Sequence, residues 1–166
     1  MFHSAIEEKL KLAKQKKSHK GLKTGELLLC SGLVDEEQVL DALDYQEHLQ
    51  NMKIGEFLVE KGFVREKEVC QALAEKFRIT FVDLKKQKIS RKILTILPKR
   101  IITRYEILPL SFENGILTIA TLQPEVSHIR EVIMKECNCS EVQFVLALPT
   151  HLRIILDMLD KQIANT

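Results

Sequence analysis

At 166 residues the chain is long enough for one domain of average size or two small ones, and its 45% hydrophobic and 29% charged residues supply an ordinary globular core without staples. Its 25 basic and 23 acidic side chains give a net charge of +2, a balance that argues against nucleic-acid binding driven by phosphate neutralisation. No apolar run approaches the roughly 20 residues needed to span a bilayer.

The N-terminus MFHSAIEEKLKLAKQKK has no apolar stretch of the signal-peptide kind, so a cytoplasmic location is expected. Cys30, Cys70, Cys137 and Cys139 fit that compartment, and none of their spacings is the two-residue gap of a zinc ribbon or redox pair. Cys137 and Cys139 stand one residue apart, where holding a metal would demand a strained turn. No metal site is expected.

In chain order, residues 4–17 predict a leading helix. Ser4 and Glu7 form a capping box, and lysines gather toward the C-terminal end, where the helix dipole favours them. Its apolar face is only Ala5, Ile6, Leu10 and Ala13, which suits a solvated or partner-packed helix, with membrane contact only through partners. Residues 18–22 read as a linker.

A tandem repeat follows. KTGELLLCSGLVDEEQVLDALDYQ (residues 23–46) and KIGEFLVEKGFVREKEVCQALAEK (residues 53–76) lie 30 residues apart and match at 10 of 24 positions without a gap. Such a period marks a stacked supersecondary unit. Each copy predicts a short helix (residues 26–31 and 56–61), a glycine turn and a longer helix. Gly32 and Gly62 sit where a left-handed residue ends a helix, and Leu33-Val34 and Phe63-Val64 plug the turn into the core. Asp35 caps the second helix with Gln38 three residues on. In the other copy Arg65 takes the cap position, at an expected loss of about 1 kcal/mol. The spacing of Val39, Leu40 and Leu43, and of Val69, Cys70, Leu73 and Phe77, places each set on one buried helical face.

Beyond the repeat the pattern changes. Residues 79–84 read as a short extended connection and residues 90–97 as a helix capped by Ser90 and stopped by Pro98. Residues 99–104 add a further helical turn. Strands are predicted over 106–112 and 116–121 around the turn Glu113-Asn114-Gly115, then a helix over 124–136, a strand over 142–148 and a last helix over 149–164. The fold class is α+β. A leading helix and linker (residues 1–22) precede an all-α tandem helix-turn-helix repeat (residues 23–80), and a small sheet covered by helices follows (residues 81–166).

No catalytic constellation stands out. His3, His19, His48, His128 and His151 are scattered, and Asp41, Asp44, Glu36 and Glu37 read as solvated helix faces. Helix, turn, helix is also the outline of a DNA reader, but the second helix of the first copy would present Asp35, Glu36, Glu37, Asp41 and Asp44, which phosphates repel. No DNA partner is expected, and no enzyme activity.

The pattern Lys-x-Gly-Glu-φ-Leu-φ-x-x-Gly-φ-Val (φ apolar), then Val-x-x-Ala-Leu, resembles the N-terminal, MshEN-type domain of the type II secretion and type IV pilus assembly ATPases. The similarity continues through Phe81-Val82-Asp83-Leu84, Leu97-Pro98, the run YEILPL ending at Leu110, Leu117-Thr118-Ile119-Ala120 and Pro124. The resemblance implies a non-catalytic regulatory module with no cofactor, whose ligand is cyclic-di-GMP held across two motifs. Carried over by position, the first motif offers Lys23, Thr24, Gly25, Val39, Leu43 and Gln46. The second offers Lys53, Ile54, Gly55, Val69, Leu73 and Lys76. A glycine lets the backbone approach a ligand, a helix start favours an anion, aliphatic side chains cover a base and a terminal amide reads polar edges.

The chain departs from the family pattern at five places. Lys23 and Lys53 replace arginines and lack the planar fork that pairs bidentately. Thr24 replaces a leucine, Lys76 replaces a glutamine, and Ala120-Thr121-Leu122-Gln123-Pro124 lacks the acidic residue of the corresponding turn. The family's ATPase part would need a phosphate loop Gly-x4-Gly-Lys-[Ser/Thr], which this sequence does not contain. The same resemblance implies partners: a secretion or pilus ATPase, or an inner-membrane platform protein. The replacements also fit a second function, a nucleotide-independent adaptor docking on that platform.

Overall fold

The computed structural model describes Glu8 and residues 22–48, 52–125 and 127–164. The helix expected over residues 4–17 lies outside the described residues apart from Glu8, and of the linker only Leu22 is described. The chain divides between Lys76 and Phe77 into two compact units.

In the first unit each repeat folds as a helix pair. Helix α1 (Thr24–Cys30) leads to α2 (Glu36–His48), and α3 (Ile54–Glu60) to α4 (Glu66–Phe77). Both short helices stop the same way. Gly32 and Gly62 adopt φ of +69° and +76°. Main-chain bonds then run from Leu33 N–H to Leu28 O and from Gly32 N–H to Leu29 O, each 3.0 Å, with the same pair from Phe63 to Leu58 and Gly62 to Val59. This Schellman arrangement satisfies carbonyls that the helix end would leave bare.

The short helices begin earlier than the sequence pattern predicts, at Thr24 and Ile54 rather than Glu26 and Glu56. Asp35 and Gln38 form the reciprocal cap, with Gln38 N–H to Asp35 Oδ1 at 2.9 Å and Asp35 N–H to Gln38 Oε1 at 3.0 Å. Arg65 is better accommodated than a cation at a cap position suggests. Glu68 accepts its main-chain N–H at 3.0 Å and its guanidinium at 2.8 Å, half of a capping box built from the far side.

The core of this unit gathers Leu27, Leu28, Val34, Phe57, Leu58 and Val64 around Val39, Ala42, Val69 and Ala72. Leu28 and Leu58 are completely covered. Burial of each contributes about 2–3 kcal/mol before entropy is subtracted. Leu40, Leu43, Leu73 and Phe77, expected on the buried faces, are only half-buried. Alanines 42, 72 and 74 take the covered positions instead, because small side chains let a helix come close to its neighbours while the longer ones flank the contact.

In the second unit the described strands form one four-stranded sheet, in which β1 (Thr80–Val82) is followed by β4 (Glu141–Ala147), then β3 (Ile116–Thr121) and β2 (Ile107–Glu113). Strands β2 (Ile107–Glu113) and β3 (Ile116–Thr121) make the expected antiparallel hairpin. Its turn residues Asn114 and Gly115 both have positive φ, 52° and 80°, which matches the twist of paired strands. Strand β4 (Glu141–Ala147) runs parallel to β3. Ser140 ties the hairpin turn to the start of β4, its Oγ and N–H each 2.9 Å from Gly115 O. Pro109, which cannot donate a ladder bond, sits on the edge strand β2 beside a register shift.

The connection expected over residues 79–84 contains a strand. β1 (Thr80–Val82) pairs in parallel with β4, Thr80 opposite Val145. A 3-10 turn (Leu84–Lys86), capped by Asp83, follows. The helix expected over 90–97 is a single turn, α5 (Arg91–Leu94). Thr95 and Ile96 bond three residues back, and the chain leaves the helix ahead of Pro98, which disfavours helical geometry before it.

Helix α6 (Lys99–Tyr105) ends at Glu106, which is left-handed (φ +48°) and so delays the strand start to Ile107. Helix α7 (Ser127–Cys137) begins later than Pro124, and α8 (Pro149–Ala164) closes the described chain. Ile107, Leu108, Leu117, Ile119, Ile129, Ile133 and Leu152 are the fully covered centre of the second core. Among the described residues no helix is long and apolar enough to cross a membrane.

Candidate functional site

The twelve candidate residues all fall in the first unit. Lys23 and Lys53 are the N-cap residues of α1 and α3, both with extended backbone (φ −73° in each). The glutamate three positions on accepts the lysine's own main-chain N–H, Glu26 Oε2 at 2.9 Å and Glu56 Oε2 at 3.3 Å. The repeated Lys-x-Gly-Glu thus has a local cause. The carboxylate fixes the helix start, and the lysine side chain is left at an exposed position.

The two helix starts face each other reciprocally. A Cβ placed on Gly25 would lie 3.6 Å from Ile54 Cγ2, and one on Gly55 would lie 3.7 Å from Thr24 Cγ2. Each glycine therefore opposes the residue that precedes its counterpart. Beneath them lie the valines of the long helices. Val39 Cγ1 would be 3.1 Å from a Cβ on Gly25, and Val69 Cγ1 3.2 Å from one on Gly55. Close backbone approach is what requires glycine here, and Val39 and Val69 are buried as part of the core. Thr24 and Ile54 are half-buried between the two halves, and Leu43 and Leu73 keep part of their surface open.

The last residue of each motif is turned toward the other repeat. Gln46 Nε2 donates to Met52 O at 3.4 Å, just ahead of Lys53. Lys76 Nζ donates to Leu22 O, just ahead of Lys23. The roles of Leu22 and Met52 were not legible in the sequence, because they contribute main-chain carbonyls, which leave no trace in a side-chain pattern. Tyr45, one position before Gln46, stacks at a tilt on Phe57 of α3 with ring centroids 4.6 Å apart.

Elsewhere, Asn138 is left-handed (φ +48°) and brings the Cys137 and Cys139 sulfurs to 3.1 Å. Burial, then the hydrogen bond to Cys137, pushes the Cys139 thiol up to about 11, away from the thiolate that metals prefer. Among the described residues no three His, Cys, Asp or Glu side chains group as metal ligands.

A family model described as the MshEN domain matches residues 77–165. The chain belongs to the MshEN family. That family is the one the sequence resemblance names, the N-terminal domains of secretion and pilus assembly ATPases. The matched stretch begins where the second unit of this MshEN chain begins, and the twelve candidate residues lie ahead of it. Solved structures extend the likeness over the repeat. A structure of MshE with cdg has a TM-score of 0.70 at 24% identity, covering 82% of this chain and 98% of that one. The N-terminal domain of XpsE has a TM-score of 0.62 at 14% identity, covering 86% of this chain and 96% of that one. At these identities the likeness is one of fold. Comparison with curated proteins returns no match.

Proposed function

We propose that this MshEN chain is a non-catalytic, cytoplasmic regulatory module of bacterial secretion or pilus machinery that binds cyclic-di-GMP, the cdg of the MshE structure, across its two tandem motifs. The observation that carries the reading is the reciprocal seating of the two helix starts, Gly25 against Ile54 and Gly55 against Thr24, with exposed Lys23 and Lys53 as their caps. A ligand with two equivalent halves, each with a phosphate and a base, matches two equivalent half-sites. In this reading the lysines neutralise the phosphates as point charges, and Thr24, Ile54, Leu43 and Leu73 cover the bases. Its partners are a secretion or pilus ATPase or an inner-membrane platform protein, and no DNA.

Calorimetric titration of the purified protein with cyclic-di-GMP tests this. A saturable heat that Lys23→Ala and Lys53→Ala each weaken supports the reading, and a flat titration with folded protein removes it. One observation favours a nucleotide-independent adaptor instead. The second motif ends in Lys76, whose Nζ donates to Leu22 O, and a lysine has no terminal amide to offer a ligand. Co-purification from cells with and without added cyclic-di-GMP separates the two, since an adaptor keeps its partner in both.

A further inference from the structure

The two repeats close on each other. Gln46 and Lys76 occupy equivalent positions in the 30-residue repeat, and so do Met52 and Leu22. The bond from Gln46 to Met52 O holds the chain entering the second motif, and the bond from Lys76 to Leu22 O holds the chain entering the first. Each long helix therefore secures the start of the short helix in the opposite repeat. The unlike side chains, an amide and an ammonium, meet the same need, a donor for a carbonyl just ahead of a capping lysine. Leu22 is itself buried, so its carbonyl lies where a missing donor is not readily replaced by water.

We propose that Gln46 and Lys76 are crossed positioning residues, Lys76 for the half-site of Lys23 and Gln46 for the half-site of Lys53, so that the two half-sites are ordered as one ring. Lys76 then replaces glutamine in this chain without loss of the latch. What changes is that one latch becomes charge-assisted and the other stays neutral. The consequence for ligand binding rests on the reading proposed above. The latch itself does not.

The test reads both layers in the full chain. Amide hydrogen exchange is followed at Leu27, whose N–H bonds Lys23 O at 2.9 Å, and at Phe57, whose N–H bonds Lys53 O at 3.0 Å. Lys76→Met keeps the aliphatic stem and removes the donor. It is expected to speed exchange at Leu27 about tenfold and leave Phe57 unchanged. Gln46→Leu is expected to do the reverse. Lys76→Gln, which restores an amide, returns Leu27 to its original rate. Where the wild-type protein binds cyclic-di-GMP, Lys76→Met weakens binding about tenfold and Lys76→Gln recovers it. Exchange that changes equally at both amides, or at neither, overturns the latch. Crossed exchange without any nucleotide binding keeps the latch and removes the sensor reading.

Discussion

Replacing Gly25 with alanine puts a methyl group 3.1 Å from Val39 Cγ1 and 3.6 Å from Ile54 Cγ2. The first distance is inside normal carbon contact, and Val39 is buried, so any shift of its side chain presses on the surrounding core. Overpacking of this kind costs about 1–3 kcal/mol. Against it stands the better helix propensity of alanine, worth up to about 1 kcal/mol and less in a first turn. The net expectation is a loss of roughly 1–2 kcal/mol. If the clash is the cause, Val39→Ala must abolish it. In that background Gly25→Ala becomes neutral or stabilising, which gives a coupling of about 1–2 kcal/mol between the two positions. Urea unfolding of the four members of the cycle measures this. Tyr45 fluorescence, read in a Tyr105→Phe background, reports the first unit alone because Tyr45 stacks on Phe57. A stabilising Gly25→Ala in the wild-type background, or a coupling below about 0.5 kcal/mol, refutes the argument that close helix approach requires this glycine.

Gly32→Ala and Gly62→Ala test backbone strain without a clash, since nothing lies within 4 Å of either position while φ is +69° and +76°. Each is expected to cost about 1–2 kcal/mol by urea unfolding, with asparagine milder than alanine. Lys23→Arg with Lys53→Arg restores the planar forks and is expected to tighten cyclic-di-GMP binding several-fold by calorimetry; unchanged affinity means these side chains act only as point charges. Desolvation pushes the Cys70 thiol from its ordinary 9.0 up to about 12. The folded state thus favours the protonated thiol. That contribution is complete below pH 9 and is lost as pH rises from 9 toward 12, with a slope of at most about 1.4 kcal/mol per pH unit. Cys70→Ala should flatten the alkaline decline in the urea midpoint of the first unit, and an identical decline in the variant sinks the assignment.

Much of the first unit was legible because its causes are local. Gly32 and Gly62 end helices for a reason confined to their own φ, and Asp35 with Gln38 caps α2 through atoms three residues apart. The start of α1 was misplaced by two residues. Its cap is a lysine, and the residue that makes the cap work is Glu26, reaching back to a main-chain N–H. In the second unit the hairpin announced itself through Asn114-Gly115. Strand β1 did not, because Thr80–Val82 earns its place only through β4, some 65 residues on. Among the candidate site residues, Val39 and Val69 proved to be core as well as motif, and Gln46 and Lys76 point across the repeat boundary.

The sequence by itself determined the duplication, the helix and strand types, the left-handed glycines and the family, all written in spacing and in side-chain chemistry a few residues apart. Only the tertiary structure decided that Gly25 opposes Ile54 while Gly55 opposes Thr24, that in the long helices alanines rather than leucines face inward, and that each repeat holds the other's starting carbonyl. Those contacts join positions tens of residues apart or involve the main chain. They follow from how the helices stack, and neither periodicity nor composition records that.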